Sequence, residues 1–193
     1  MKRVDARGLT CPLPVIEAKK ALRKMDEGQL EVVVDNIISL QNLEKMAEQT
    51  GLSYSTETGD DGYVIRIFAK TKKSRSSPLP ALGKTVVVIS SELMGGGDPD
   101  LGAILMKAFL FALSEQDQDP DKILLYNSGV KLAVEGSDSL ADLQKMEKRG
   151  TEILSCGVCL DFYQLTEKVK VGRISNMYEL VQSQTDAGRI IRL

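Results

Sequence analysis

Apolar residues change their spacing repeatedly along the first 70 positions. Lys2–Arg7 predicts a short strand. From Pro12 to about Asp26, Val15, Ala18, Leu22 and Met25 recur at intervals of three and four, which places them on one helical face. Gly28 ends that helix, and the valine-rich Gln29–Asp35 predicts a strand. A second helix is predicted from about Ser39 to Thr50, closed by Gly51. Strands over Leu52–Glu57 and Tyr63–Ala69 flank Gly59-Asp60-Asp61-Gly62, a hairpin-turn sequence. The order strand, helix, strand, helix, strand, strand predicts a two-layer βαβαββ sandwich.

Beyond residue 83 the rhythm differs. Thr85–Ser90 is continuously apolar, as a strand covered on both faces should be. A long helix is predicted over about Asp100–Glu115, and shorter ones near Ser139–Arg149 and Ser175–Gln184. Strands are predicted at Lys122–Asn127, Thr151–Ser155, Lys170–Ile174 and Arg189–Leu193. This alternation predicts an α/β unit with a mostly parallel sheet and helices on both faces. Between the two patterns, Lys70-Thr71-Lys72-Lys73-Ser74-Arg75-Ser76-Ser77-Pro78-Leu79-Pro80 is basic, rich in Ser and Pro, and without period. The expected organisation is therefore a domain over 1–70, a linker over 71–83 and a domain over 84–193.

Composition narrows the chemistry. With 42% apolar and 27% charged residues the chain is of globular type, and a net charge of −2 gives no global field for nucleic acid or anionic lipid. No apolar run approaches the ~20 residues of a bilayer span, and Met1-Lys2-Arg3-Val4-Asp5 lacks a secretory apolar stretch, so the cytoplasm is the expected location. Histidine is absent, which excludes Ser-His, Cys-His and His-metal mechanisms. The three cysteines, Cys11, Cys156 and Cys159, then stand out as reactive thiols. A tetrahedral zinc site is disfavoured with three sulfurs and no imidazole, and no metal is expected.

Cys11 is followed by Pro12, a residue favoured at the first position of a helix, which puts the thiol at or beside the N-cap. Backbone N–H groups and the positive helix end favour a thiolate there. Pro14 stiffens the first turn, Arg7 could add positive charge, and Gly8 permits a tight turn. A buried structural cysteine is the competing reading. Lys19, Lys20, Arg23 and Lys24 follow on the same helix, either as a solvated face or as a docking face for an acidic partner. No aromatic residue interleaves with them, so nucleic acid is not an expected partner.

The run Asp5-x-Arg7-Gly8-Leu9-x-Cys11-Pro12-x-Pro14 resembles the signature of the TusA/SirA family of sulfur carriers, over residues 1–70. The resemblance implies that Cys11 receives a persulfide from a cysteine desulfurase or another sulfur donor and passes it to an acceptor protein.

Cys156-Gly157-Val158-Cys159 follows the predicted strand Thr151–Ser155, at a carboxyl strand end where parallel sheets place their sites. Such a pair can form a reversible disulfide or share a sulfane sulfur, and thiol–disulfide oxidoreductase chemistry is one alternative. Gly97-Asp98-Pro99-Asp100-Leu101-Gly102 has the glycine spacing of a P-loop, but Ala103-Ile104 replace its Lys and Ser/Thr, so no nucleotide cofactor is expected. Val86-Val87-Val88-Ile89-Ser90-Ser91, the Gly95–Gly102 stretch and Cys156-Gly157-Val158-Cys159-Leu160-Asp161 together resemble the DsrE/DsrF-like family. The resemblance implies a sulfur relay at a strand end, with Cys159 as the relay thiol and Cys156 as its resolving partner, and assembly into a homo-oligomer.

The two resemblances in this order, with Asp35-Asn36 and Asn42, are similar to the YedF-type, sulfurtransferase-like selenium metabolism proteins. They imply a persulfide or selenopersulfide carrier in which Cys11 exchanges cargo with Cys159. The alternative within the same resemblance is a carrier and interaction module without turnover.

Overall fold

Residues 1–10, 12–59, 62–69 and 83–193 are described by a computed structural model of the chain, which falls into two units, Met1–Ser77 and Pro78–Leu193. Cys11, the Asp60-Asp61 pair of the predicted turn, and the predicted linker up to Leu82 lie outside the described residues.

In the first unit, β1 (Lys2–Asp5), α1 (Leu13–Arg23), β2 (Gly28–Val34), α2 (Ile37–Gln49), β3 (Ser53–Gly59) and β4 (Gly62–Ala69) follow in that order. The sheet order is β1-β2-β4-β3, with β1 parallel to β2 and the other pairs antiparallel. Alternation along the strands sends Leu30, Val32, Val34, Ile65 and Ile67 into a core with Ala18, Ala21, Leu40, Leu43 and Met46 of the two helices. The other face of the sheet carries a charge ladder. Glu31, almost buried, meets Arg66 at 3.1 Å and Arg3 at 3.4 Å, and Arg66 reaches Glu57 at 2.7 Å. Two layers thus suffice: helices on one face, ion pairs on the other.

Several boundaries differ from the sequence expectation: β1 stops at Asp5, α1 closes at Arg23 with Lys24 as its C-cap, Gly28 opens β2 instead of ending the helix, and β3 runs on to Gly59; two helix starts differ for a visible reason. α1 opens at Leu13, with Pro12 as its N-cap and Pro14 in its first turn, so Pro12 is not the first helical residue. The reason lies in the hydrogen bonds: the Leu13 N–H donates to the Thr10 carbonyl at 2.9 Å, and the Ile16 N–H is the donor that reaches the Pro12 carbonyl, at 3.2 Å. α2 begins two residues earlier than expected, because the Asn36 side chain accepts from the Ser39 N–H at 2.8 Å and caps it.

The second unit contains β5 (Thr85–Ile89), α3 (Pro99–Ser114), β6 (Lys122–Leu125), α4 (Leu140–Lys148), β7 (Glu152–Cys156), α5 (Gly157–Phe162), β8 (Arg173–Ser175), α6 (Met177–Thr185) and β9 (Arg189–Arg192). All pairs are parallel in the order β8-β7-β6-β5-β9. Strands β5 to β8 step in one direction and β9 returns to the far side of β5. Right-handed crossovers then place α3 and α4, which touch each other, on one face and α6 on the opposite one. Val86–Ile89, Ile123–Leu125 and Ile153-Leu154 are shielded on both sides.

Sequence periodicity misplaced two strand limits here. β6 stops at Leu125, because Asn127 takes a left-handed conformation (φ 50°) that opens a 3-10 stretch over Asn127–Ala133. β8 starts at Arg173, because Val169 is bridged to Val134, the Lys170 N–H bonds to Ala133, and Gly172 turns with φ 73°. A side chain at Gly172 would strike the Ile153 carbonyl at 2.4 Å.

Candidate functional sites

The approach to Cys11 is tied down at three points. The Arg7 side chain donates from Nε and Nη2 to the two carboxylate oxygens of Asp5, at 2.9 and 2.6 Å. The Gly8 N–H donates to Asp35 Oδ2 at 2.6 Å, across from the end of β2. The Ala6 N–H continues the sheet to the Val33 carbonyl at 2.8 Å. Gly8 has φ 73°, which a side chain would resist. The guanidinium of Arg7 holds the Asp5 carboxyl down at about 2. The Gly8 N–H, with the Asn36 amide, also lowers Asp35. Arg7, expected to add positive charge beside the thiol, has Asp5 as its ion-pair partner.

Pro12 and Pro14 have no N–H to offer, and the Leu13 N–H is committed to Thr10. The start of α1 therefore presents fewer donors than an ordinary helix start. Lys20, on the basic stretch, pairs with Glu17 at 3.3 Å.

The second unit gathers its thiols where three neighbouring strands end. Cys156 closes β7, caps α5 and is buried at 2% exposure, packed into the core. Cys159, one turn further, is half-buried. Both are free thiols. The Asn127 N–H, at the end of β6, donates to Cys159 Sγ at 3.1 Å. Burial, and then the hydrogen bond with the Cys156 thiol, push Cys159 up, while the Asn127 N–H draws it down. The Tyr163 hydroxyl donates to Asn127 Oδ1 at 3.1 Å, fixing the residue that holds the sulfur. Lys131 lies 4.9 Å over the Tyr163 ring and reaches Glu92, after β5, at 2.6 Å. Tyr163, Lys131 and Glu92 also line a cleft of about 490 Å³ with Lys107 and Asp138.

The structure thus brings Cys156 and Cys159 together, holds Cys159 through Asn127, and backs Asn127 with a chain of contacts through Tyr163, Lys131 and Glu92. Sequence reasoning missed those four, as well as the clamping role of Asp35. The visible hint was Asn127-Ser128-Gly129, a turn cluster straight after an apolar strand. The P-loop-like glycines serve α3 instead: Asp98 caps it by accepting from the Leu101 N–H at 3.0 Å, and Gly102 packs against Leu93 and Met94. No described helix is long and apolar enough to cross a membrane.

Comparison with known proteins divides the chain in the same order. Residues 2–68 match the family profile described as Sulfurtransferase TusA, and residues 95–193 match the DsrE/DsrF-like family. The latter match begins after β5, which the sheet nevertheless holds between β6 and β9. A candidate sulfur carrier protein of Methanocaldococcus jannaschii is 46% identical over 52 residues, covering 26% of this chain and 69% of its own. The sulfur carrier protein TusA of Allochromatium vinosum is 43% identical over 61 residues, covering 30% of this chain and 80% of its own. Among solved structures, the SirA-like protein of Desulfitobacterium hafniense is 42% identical over 37% of this chain and all of its own, with a TM-score of 0.34. The ychN protein of E. coli is 18% identical over 57% of this chain and 98% of its own, with a TM-score of 0.46.

Proposed function

Because the chain belongs to the TusA sulfurtransferase family over residues 2–68 and to the DsrE/DsrF-like family over residues 95–193, we propose that it traffics sulfane sulfur, with Cys11 accepting the sulfur as a persulfide and Cys159 exchanging it. The observation that carries this reading is the position of Cys11. It stands in Asp5-x-Arg7-Gly8-Leu9-x-Cys11-Pro12-x-Pro14, inside the TusA match and just after a turn held by Asp5 and Asp35.

Sulfur is cargo here, bound covalently for the length of one transfer, and no resident cofactor is invoked. A cysteine desulfurase or another sulfur donor supplies it and an acceptor protein takes it. Selenium enters the same chemistry as a selenopersulfide, the version that the YedF-type resemblance implies. A reducing cytoplasm suits a chain whose three cysteines work as thiols. Self-association of the second unit is part of the proposal and is supported by the apolar outer face of α3.

Incubation with a cysteine desulfurase and cysteine tests the reading. Tryptic peptide Gly8–Lys19 should gain one sulfur atom, and Cys11→Ser should abolish the gain. A peptide that takes up no sulfur, from the desulfurase or from inorganic polysulfide, overturns it. The raised Cys159 thiol favours a second reading, in which Cys11 alone carries cargo and the second unit serves assembly. Cys159→Ser separates the two: delivery to the acceptor falls under the first and is unchanged under the second.

A further inference from the structure

The order of burial in the Cys156–Cys159 pair is informative. The buried thiol comes first, at the end of β7, and the accessible thiol follows it on α5. Residues three apart at a helix start share a face, so Cys156, the N-cap of α5, stands beside Cys159 on its first turn, and both pack in the same core cluster. A sulfur donor from solution therefore meets Cys159 before Cys156. The Asn127 N–H fixes Cys159 Sγ from the other side at 3.1 Å.

We infer that this pair discharges sulfur: Cys156 attacks the Cys159 persulfide and expels hydrosulfide, leaving a Cys156–Cys159 disulfide. The inference rests on the reading that Cys159 accepts sulfane sulfur. In the step, Cys156 loses its proton to solvent and its thiolate attacks Cys159 Sγ, the inner sulfur. The bond between the two Sγ atoms forms and the bond from Cys159 Sγ to the outer sulfur breaks. The outer sulfur leaves with the bonding pair and its proton as HS⁻. The two cysteines are oxidised by two electrons in all and the departing sulfur is reduced by two. A dithiol reductant then returns the disulfide to two thiols.

Packing favours attack on the inner sulfur. Capture of the outer sulfur would leave a persulfide on Cys156, adding an atom inside the cluster that contains Ile153, Leu154 and Leu160. Overfilling a packed core is destabilising. Disulfide formation adds no atom there and only draws two neighbouring sulfurs to bonding distance. The unit then acts as a persulfide-reducing site that converts carried sulfur into free sulfide.

The test uses the full chain, treated briefly with inorganic polysulfide, desalted, and followed without added thiol. Sulfide should appear in solution while peptide Gly150–Lys168, which holds both cysteines, first gains one sulfur and then becomes two hydrogens lighter than its reduced form. Cys156→Ser should keep the extra sulfur on Cys159 and slow sulfide release by about tenfold or more. Cys156→Ala, which keeps the site apolar, should do the same. The inference is overturned if the wild-type peptide holds its sulfur without forming the disulfide, or if both variants release sulfide as fast as the wild type. Sulfur on peptide Gly8–Lys19 is read in the same digest, so a failure of the carrier reading is seen separately.

Discussion

Asp35 accepts a charge-assisted hydrogen bond from the Gly8 N–H, and Asp5 accepts three from Arg7, two from its guanidinium and one from its backbone N–H. Both carboxyls sit below the ordinary range, Asp5 at about 2. A lowered folded value means that these contacts contribute fully above the unfolded value of about 3.9 and are lost as pH falls through the folded one. The amide resonance of Gly8 should hold its position down to about pH 4 and shift toward random coil as Asp35 is protonated at lower pH. Asp35→Ala should release the Gly8 amide to rapid exchange at neutral pH and slow sulfur loading of Cys11, while the helical circular dichroism persists. In the other unit, Tyr163→Phe removes the donor that fixes Asn127 and should cost about 0.5–1.5 kcal/mol in denaturant unfolding. The Asn127 N–H lowers the Cys159 thiol, so loosening it should move the pH profile of Cys159 alkylation upward. An unchanged profile would make Tyr163 purely structural.

At the scale of elements, α3 is apolar around most of its circumference yet buries one ridge, Gly102, Met106, Leu110 and Ser114. Leu101, Ile104 and Leu105 are 53%, 64% and 42% exposed. A helix apolar on every side is normally covered. If a second copy covers it, Ile104→Glu should convert the assembly to monomer in sedimentation velocity. A wild-type monomer would remove the argument. The 3-10 stretch after β6 passes so close to β5 that a Cβ on Gly129 would lie 2.4 Å from the Ile89 carbonyl. Gly129→Ala should cost about 1–3 kcal/mol and disturb Asn127, two residues away, with it. Elements with strong periodicity were legible in the sequence: the Val86–Ile89 strand, the long helix and the βαβαββ order. The stretch Asn127–Ala133 was not, because its path is set by a left-handed residue and a close backbone approach rather than by a repeat of apolar residues. The site followed the same rule. Its thiols were readable as Cys156-Gly157-Val158-Cys159, whereas Asn127 reaches Cys159, and Tyr163 reaches Asn127, through tertiary contacts that no spacing encodes.

At the scale of the whole chain, each unit has its own core, and the second is the more extensive. Leu124→Ala in that core should cost about 2–5 kcal/mol, measured by loss of second-unit amide protection. The lack of any histidine has a kinetic corollary. Sulfur loading should show no inflection near pH 6.5, where an imidazole would titrate, and should resist an imidazole-acylating reagent.

Strand β5 has one further consequence. Its neighbour on one side, β9, lies about a hundred residues later in the chain. At ribosomal speeds of about 5–20 residues per second, that flank of the Val86–Ile89 run waits roughly 5–20 s for its partner. An unpaired apolar strand edge is a template for aggregation during that interval. Slower growth, or a chaperone that shields nascent strands, should therefore raise the soluble yield, and the gain should come from synthesis rather than from the finished protein.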